Sequence, residues 1–118
     1  MWPLNGIRIY LAREPVDLRK SIDGLSVLVS QVLGQDPFSA HLFVFTNRHR
    51  DKLKALSWDQ NGFVLYYKRL EQGRFRWPVI PADQAVLVID YRQLQWLLSG
   101  LSIEQRQALP AVAARVVA

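Results

Sequence analysis

Two runs of β-forming residues meet at the dipeptide Asn61-Gly62, and no other feature constrains the fold as strongly. A two-residue type I′ turn needs φ > 0 at both central positions, and Asn-Gly adopts this most readily. Before the dipeptide the run KLKALSW alternates, and after it FVLYYKR is rich in aromatic and β-branched residues. The pattern predicts a β-hairpin. An even loop puts Leu56 and Trp58 on one face with Phe63, Leu65 and Tyr67. It sends Ser57, Val64, Tyr66 and Lys68 to the other face. A bulged three-residue loop exchanges that partnership. The even loop is expected, because it gathers the large apolar groups.

A second turn is expected at Gln72-Gly73. It leads into Arg74-Phe75-Arg76-Trp77, where a period of two sends both arginines to one face and both rings to the other. Pro78 is expected to end or edge that strand. Residues 47–78 thus read as a β-meander in which charge and rings interleave. Its eight basic side chains are Arg48, Arg50, Lys52, Lys54, Lys68, Arg69, Arg74 and Arg76, against Asp51, Asp59 and Glu71. That excess of five equals the net charge of the whole chain, +5. Eleven of the fifteen basic residues are arginine, whose planar fork suits bidentate phosphate contacts. A nucleic acid or another acidic partner is the matching class. Solubility alone also accounts for a mildly basic surface. The expected compromise puts rings such as Phe75 and Trp77 inside and the arginines outside.

The length of 118 residues suits a single domain, 1–118, and with half its residues hydrophobic it is long enough for a core. An aromatic content of 11% argues against disorder. With no cysteine there is no disulfide framework and no thiolate metal site, which suits a reducing cytosol. No apolar run approaches the ~20 residues that span a bilayer. The opening residues lack the basic start and apolar middle of a secretory signal. The expectation is a cytoplasmic protein with no membrane partner.

Other elements follow from local signals. Residues 7–11 read as a short strand. Asp17 is placed to cap a helix from Leu18, in which Leu18, Ile22, Leu25, Val29, Val32 and Leu33 recur at helical spacing. Gly34 is placed as its C′ residue, and Gly24 inside it suggests close packing on the sheet. Residues 41–46 and 85–89 read as buried strands. Asp90 and Gln93 have capping-box spacing before Leu94, Leu97, Leu98 and Leu101, and Ser102 with Gln105 repeats the pattern before an apolar tail. The fold class expected is α+β: a mainly antiparallel sheet of about five strands, one long helix packed on it, and a C-terminal helical pair.

Catalytic patterns are weak. His41 and His49 are the only histidines and have no acidic cluster beside them, so no metal site is expected. Asp17, Asp23, Asp51 and Asp59 are scattered among cap, helix-surface and turn positions rather than converging as two-metal chemistry requires. Arg48, His49, Arg50, Tyr66 and Tyr67 are the residue types of a tyrosine-nucleophile strand-transfer enzyme. Adjacent tyrosines in a strand point to opposite faces, however, and three consecutive loop residues cannot all face one phosphate. No phosphate-binding loop is present, and no cofactor or catalytic residue is expected.

The run FVFTNRHRDKLKALSWDQNGFVLYYKRLEQGRFRWP closely resembles the accessory TnpB-type protein of bacterial insertion sequences of the family numbered sixty-six, the product of the second open reading frame. PVDLRKSIDGL resembles that family's other marked segment, and LQWLLSGL fits its leucine-rich ending. Ser57 stands where a bulkier residue is expected before the tryptophan. The resemblance implies a non-catalytic accessory factor for transposition, encoded beside a separate transposase. The partners expected are DNA and that transposase; the alternative is an adaptor that binds the transposase without touching DNA. The interface expected comprises the eight meander cations, with Arg19 and Lys20 as secondary candidates. With about six phosphates neutralised at once, log affinity falls with log salt at a slope of roughly −5.

Overall fold

The computed structural model of the protein describes residues 6–105. Its elements are β1 (Ile9–Ala12), α1 (Ile22–Gln31), β2 (Leu42–Thr46), β3 (Lys52–Asp59), β4 (Gly62–Arg69), β5 (Val86–Ile89) and α2 (Tyr91–Leu98), in chain order. The five strands form one sheet in the order β4-β3-β2-β1-β5. The α+β class holds, but the sheet is mixed rather than mainly antiparallel: β1 and β2 pair in parallel at its centre. The reason is α1. A crossover helix returns the chain to the end where β1 began, so the next strand runs the same way. The pairs β2–β3, β3–β4 and β1–β5 are antiparallel.

Period-two alternation divides the core between the sheet's two faces. On one face Tyr10, Phe43, Phe45 and Leu56 pack with Leu25, Val29 and Leu33 of the α1 region. On the other, Leu11, Val44, Leu53 and Ala55 pack with Leu94 and Leu97 of α2 and with Phe75, Ile80 and Ile103. Every residue of β2 is buried, as suits a central strand. The segment that reads as a buried strand near residue 85 is instead an edge strand, β5, and leaves Val88 exposed.

The first helix is shorter than its apolar periodicity predicts. It begins at Ile22 rather than Leu18. The Asp17 carboxylate is engaged by the backbone N–H and the side chain of Arg19, and its carbonyl accepts from Lys20 N–H at 3.1 Å. The carbonyls of Leu18 and Lys20, which a longer helix would use, accept instead from Lys54 Nζ at 2.7 and 2.9 Å. Gly24 does not approach the sheet. A Cβ there would meet the stem of Lys20 at 3.1 Å. Gly34 closes the helix with φ +66° while Gln35 N–H reaches back to Val29 O. The helix α2 carries the expected capping box in full, Asp90 to Gln93 N–H and Gln93 to Asp90 N–H. After α2, residues 101–105 are not helical; the rest of the second expected helix and the apolar tail lie outside the described residues.

The hairpin has the even register. Leu56 faces Leu65, Trp58 faces Phe63 and Lys54 faces Tyr67. Its two-residue loop is Gln60-Asn61, one position earlier than the Asn-Gly dipeptide predicts, and Gln60 takes the positive φ of 54°. The aromatic end of the hairpin accounts for this register. Trp58 and Phe63 meet edge-on at 5.0 Å, and Phe38 packs on both. The stretch 74–77 is not a strand. Its alternation is real nonetheless: Phe75 is buried, Trp77 is half-buried, and Arg74 and Arg76 are exposed.

Candidate nucleic-acid interface

The exits of β1, β2 and β4 and the entry of β3 share one end of the sheet, as their pairing directions require. The loop 47–51 sits at this end and is held tightly. Asn47 Nδ2 donates to Asp51 at 2.7 Å, Asn47 Oδ1 accepts from Lys52 N–H at 3.1 Å, and Asn47 O accepts from Arg50 N–H. Arg50 takes φ +62°, an uncommon conformation for a residue with a Cβ. The segment that follows β4 is lashed to the same end. Leu70 N–H donates to Asp51 O, Phe75 N–H to Arg50 O at 2.7 Å, and Trp77 Nε1 to Ala12 O at 2.9 Å. Arg13 Nε donates to Ile80 O at 3.0 Å.

Two depressions flank the loop and adjoin at Pro15. The first, about 550 Å³, gathers Arg19, Arg48, His49, Lys52 and Tyr67 with Asp17. The second, about 510 Å³, gathers Arg13, Arg50 and Arg76 with Glu14 and Trp77. Of the expected interface, Arg19, Arg48, Arg50, Lys52 and Arg76 therefore converge on this end. Arg74 is exposed on the neighbouring turn, and Lys20 is exposed beside Arg19.

Four expected cations have other partners, Arg19 among them through its pairing with Asp17 at 2.7 Å. Lys54 is committed to the Leu18 and Lys20 carbonyls and lies 5.4 Å from the centre of the Tyr67 ring. Lys68 points to the other face, where Nζ donates to Leu98 O at the end of α2 at 2.7 Å; a cation there complements the helix dipole. Arg69 pairs with Glu71 at 3.0 Å. Lys52 and Arg69 are directly opposite across β3 and β4. Like charges so placed destabilise a sheet, and Glu71 beside Arg69 offsets part of that cost.

Two acidic groups here, Asp17 and Asp51, are held ionised by their partners. Hydrogen bonds from Arg19 lower the Asp17 carboxyl to about 2. The Asn47 amide, helped by the charge of Lys52, lowers Asp51. Asp17 and Glu71 in turn raise Arg19 and Arg69 above the ordinary arginine value. Among the described residues no group of three or more His, Asp or Glu side chains could hold a metal ion, and no helix is long and apolar enough to cross a membrane.

Sequence reasoning did not assign Arg13, His49 or Tyr67 to this surface. Arg13 has no local signal, since it reaches the site only through the parallel pairing of β1 with β2. Tyr67 shares a face with Leu56 and Leu65 and reads as core, but it is 51% exposed.

Fold and geometry together define a small α+β domain with a mixed sheet and one strongly basic end. The sequence model of the IS66 Orf2-like proteins, the TnpB family of that insertion sequence, matches residues 7–108, and the chain belongs to this family. Two relatives come from Sinorhizobium fredii (strain NBRC 101917 / NGR234). The uncharacterized protein y4jC is 36% identical over 84% of this chain and 83% of its own length. The uncharacterized protein y4hO is 37% identical over 82% and 83%. No solved structure matches.

Proposed function

We propose that this protein is a non-catalytic accessory factor in the transposition of an insertion sequence, and that it binds DNA, alone or with the transposase, through the basic end of its sheet. Family membership supports the accessory role. The observation that carries the DNA reading is the convergence of Arg48, Arg50, Lys52 and Arg76 around one rigid loop; Arg13 and Arg19 line the same depressions but are paired with Glu14 and Asp17. A double-helical backbone meets such a surface through phosphate contacts that position without reading sequence.

The test is the salt dependence of duplex binding. Lys54 and Lys68 are tied to carbonyls and Arg69 to Glu71. Arg48, Arg50, Lys52, Arg74 and Arg76 remain, so the slope of log affinity against log salt becomes about −4 rather than the sequence-based −5. Changing Arg74 and Arg76 together to alanine reduces that slope by ~1–2 and weakens all duplexes nearly alike. Both are exposed while Phe75 between them is buried, so the fold survives. A folded double variant with unchanged affinity and slope excludes this face.

The adaptor reading has one observation in its favour. An apolar groove of about 750 Å³ runs between α2 and the hairpin, lined by Val64, Leu65, Leu94 and Leu98 among others. Retention of transposase at high salt, with no shift of DNA, selects that reading.

A further inference from the structure

The first depression has a feature that duplex phosphate contacts do not use. Tyr67 lines the same depression as Arg19, Arg48, His49 and Lys52 and is 51% exposed. Its neighbours on the same face of β4, Phe63 and Leu65, are only half-buried, yet they pack into the core cluster below α1. Tyr67 is not part of that cluster. Its position is nevertheless well held. The β4 backbone is paired to Lys54 of β3, and Lys54 Nζ, anchored on two carbonyls, lies against the ring. A large flat ring with the Lys54 ammonium on one face, half in water and outside the apolar cluster, leaves apolar area exposed that core packing does not explain.

Such a ring has the properties of a base-stacking platform. Surfaces that bind single-stranded nucleic acid combine a cationic track for the backbone with aromatic faces for unstacked bases. A base inside a duplex is already stacked and cannot use the ring. We propose that Tyr67 stacks on an unpaired DNA base whose flanking phosphates lie on Arg48 and Lys52. The protein then favours DNA with single-stranded or forked segments over uniform duplex. This rests on the basic end of the sheet being the DNA surface, and it adds the class of DNA that this surface selects. The Asp17 carboxylate, paired with Arg19 in the same depression, works against a phosphate placed over it and steers the backbone toward Arg48 and Lys52.

The test uses the full chain with three oligonucleotides of equal length: a duplex, a single strand, and a fork with one unpaired 2-aminopurine. The expected result is tighter binding to the single strand and fork than to the duplex, with quenching of 2-aminopurine fluorescence. Tyr67→Leu lowers affinity for the fork by roughly 10- to 100-fold and removes the quench. The salt slope on duplex stays the same, because no cation is lost, and affinity falls more for the fork than for the duplex. Tyr67→Phe retains both fork affinity and quench. The quench of the unaltered protein is independent of whether a variant folds. Duplex binding with the steep salt slope, but no preference for the fork and no quench, overturns the stacking inference and leaves the basic-surface reading standing. Absence of binding to all three DNAs overturns both.

Discussion

Lys54 is the residue at which sequence and structure assign opposite roles, and Lys54→Met separates them. Methionine keeps an unbranched stem of similar length and removes the ammonium. In the native fold Nζ donates to Leu18 O at 2.7 Å and to Lys20 O at 2.9 Å. These bonds pin the 17–20 turn, which carries Arg19, to the centre of β3. A hydrogen bond with a charged partner contributes about 1.5–3 kcal/mol. The half-buried site places each bond near or below the lower end of that range, so the pair is worth ~2–3 kcal/mol. For a domain of this size each kcal/mol moves Tm by about 4 °C, so Tm falls by about 8–12 °C. The assays are thermal unfolding by circular dichroism and duplex affinity across a salt series. The expected outcome is a lower Tm with the salt slope unchanged, measured well below the transition. An unchanged Tm with a slope reduced by about 1 refutes this reasoning, because Lys54 would then face phosphate rather than hold carbonyls.

Asp17→Asn removes the carboxylate that clasps Arg19 and sits in the basic depression; duplex binding tightens and the salt slope steepens by about 0.9, read from the same titration. In the unaltered protein the Asp17 carboxyl titrates at about 2 rather than the ordinary 3.8, observable by NMR. Its folded value lies below its unfolded one, so its small stabilising effect is complete above about pH 4 and disappears as pH falls through about 2. Asp90→Ala removes the reciprocal cap of α2 and lowers unfolding free energy by ~1 kcal/mol in denaturant titration, with no effect on DNA binding.

Much of the sheet was legible because its signals are local and physical. The alternation of Leu56 and Trp58 with Phe63, Leu65 and Tyr67 reports faces directly, and the paired register agrees with it. The capping box at Asp90 and Gln93 was equally plain. Long-range pairing was not. Parallel β1–β2 contact depends on where α1 delivers the chain, which period-two patterning does not encode. The alternation of Arg74, Phe75, Arg76 and Trp77 also reports faces, but a strand needs a continuous partner. Phe75 N–H reaches Arg50 O, whereas Trp77 N–H turns back to Phe75 O, so the segment wraps a buried ring without joining a ladder. The apolar run of β5 signals burial, but a run that short does not distinguish a central strand from an edge.

The charge count points to one end of the molecule but also takes in cations that the fold commits to other partners. Composition weighs every cation alike, whereas the fold sorts them by partner. Lys54 and Lys68 differ by their anchors on opposite faces, and a strand alternates its faces at every residue. Arg50 shows the converse. It keeps a positive φ in a loop whose neighbours, Asn47 and Asp51, spend their polar groups on holding that loop. A non-glycine residue in this conformation carries strain of order 1 kcal/mol, which glycine would relieve. That the position holds arginine is consistent with its side chain being needed where the loop aims it, beside Arg13 and Arg76. Opposed Lys52 and Arg69 forgo a stabilising cross-strand pair, and only the charge of Arg69 is offset locally, by Glu71. In the proposed complex a phosphate beside Lys52 offsets what remains of that opposition, while the backbone strain at Arg50 persists and only its side chain gains a partner.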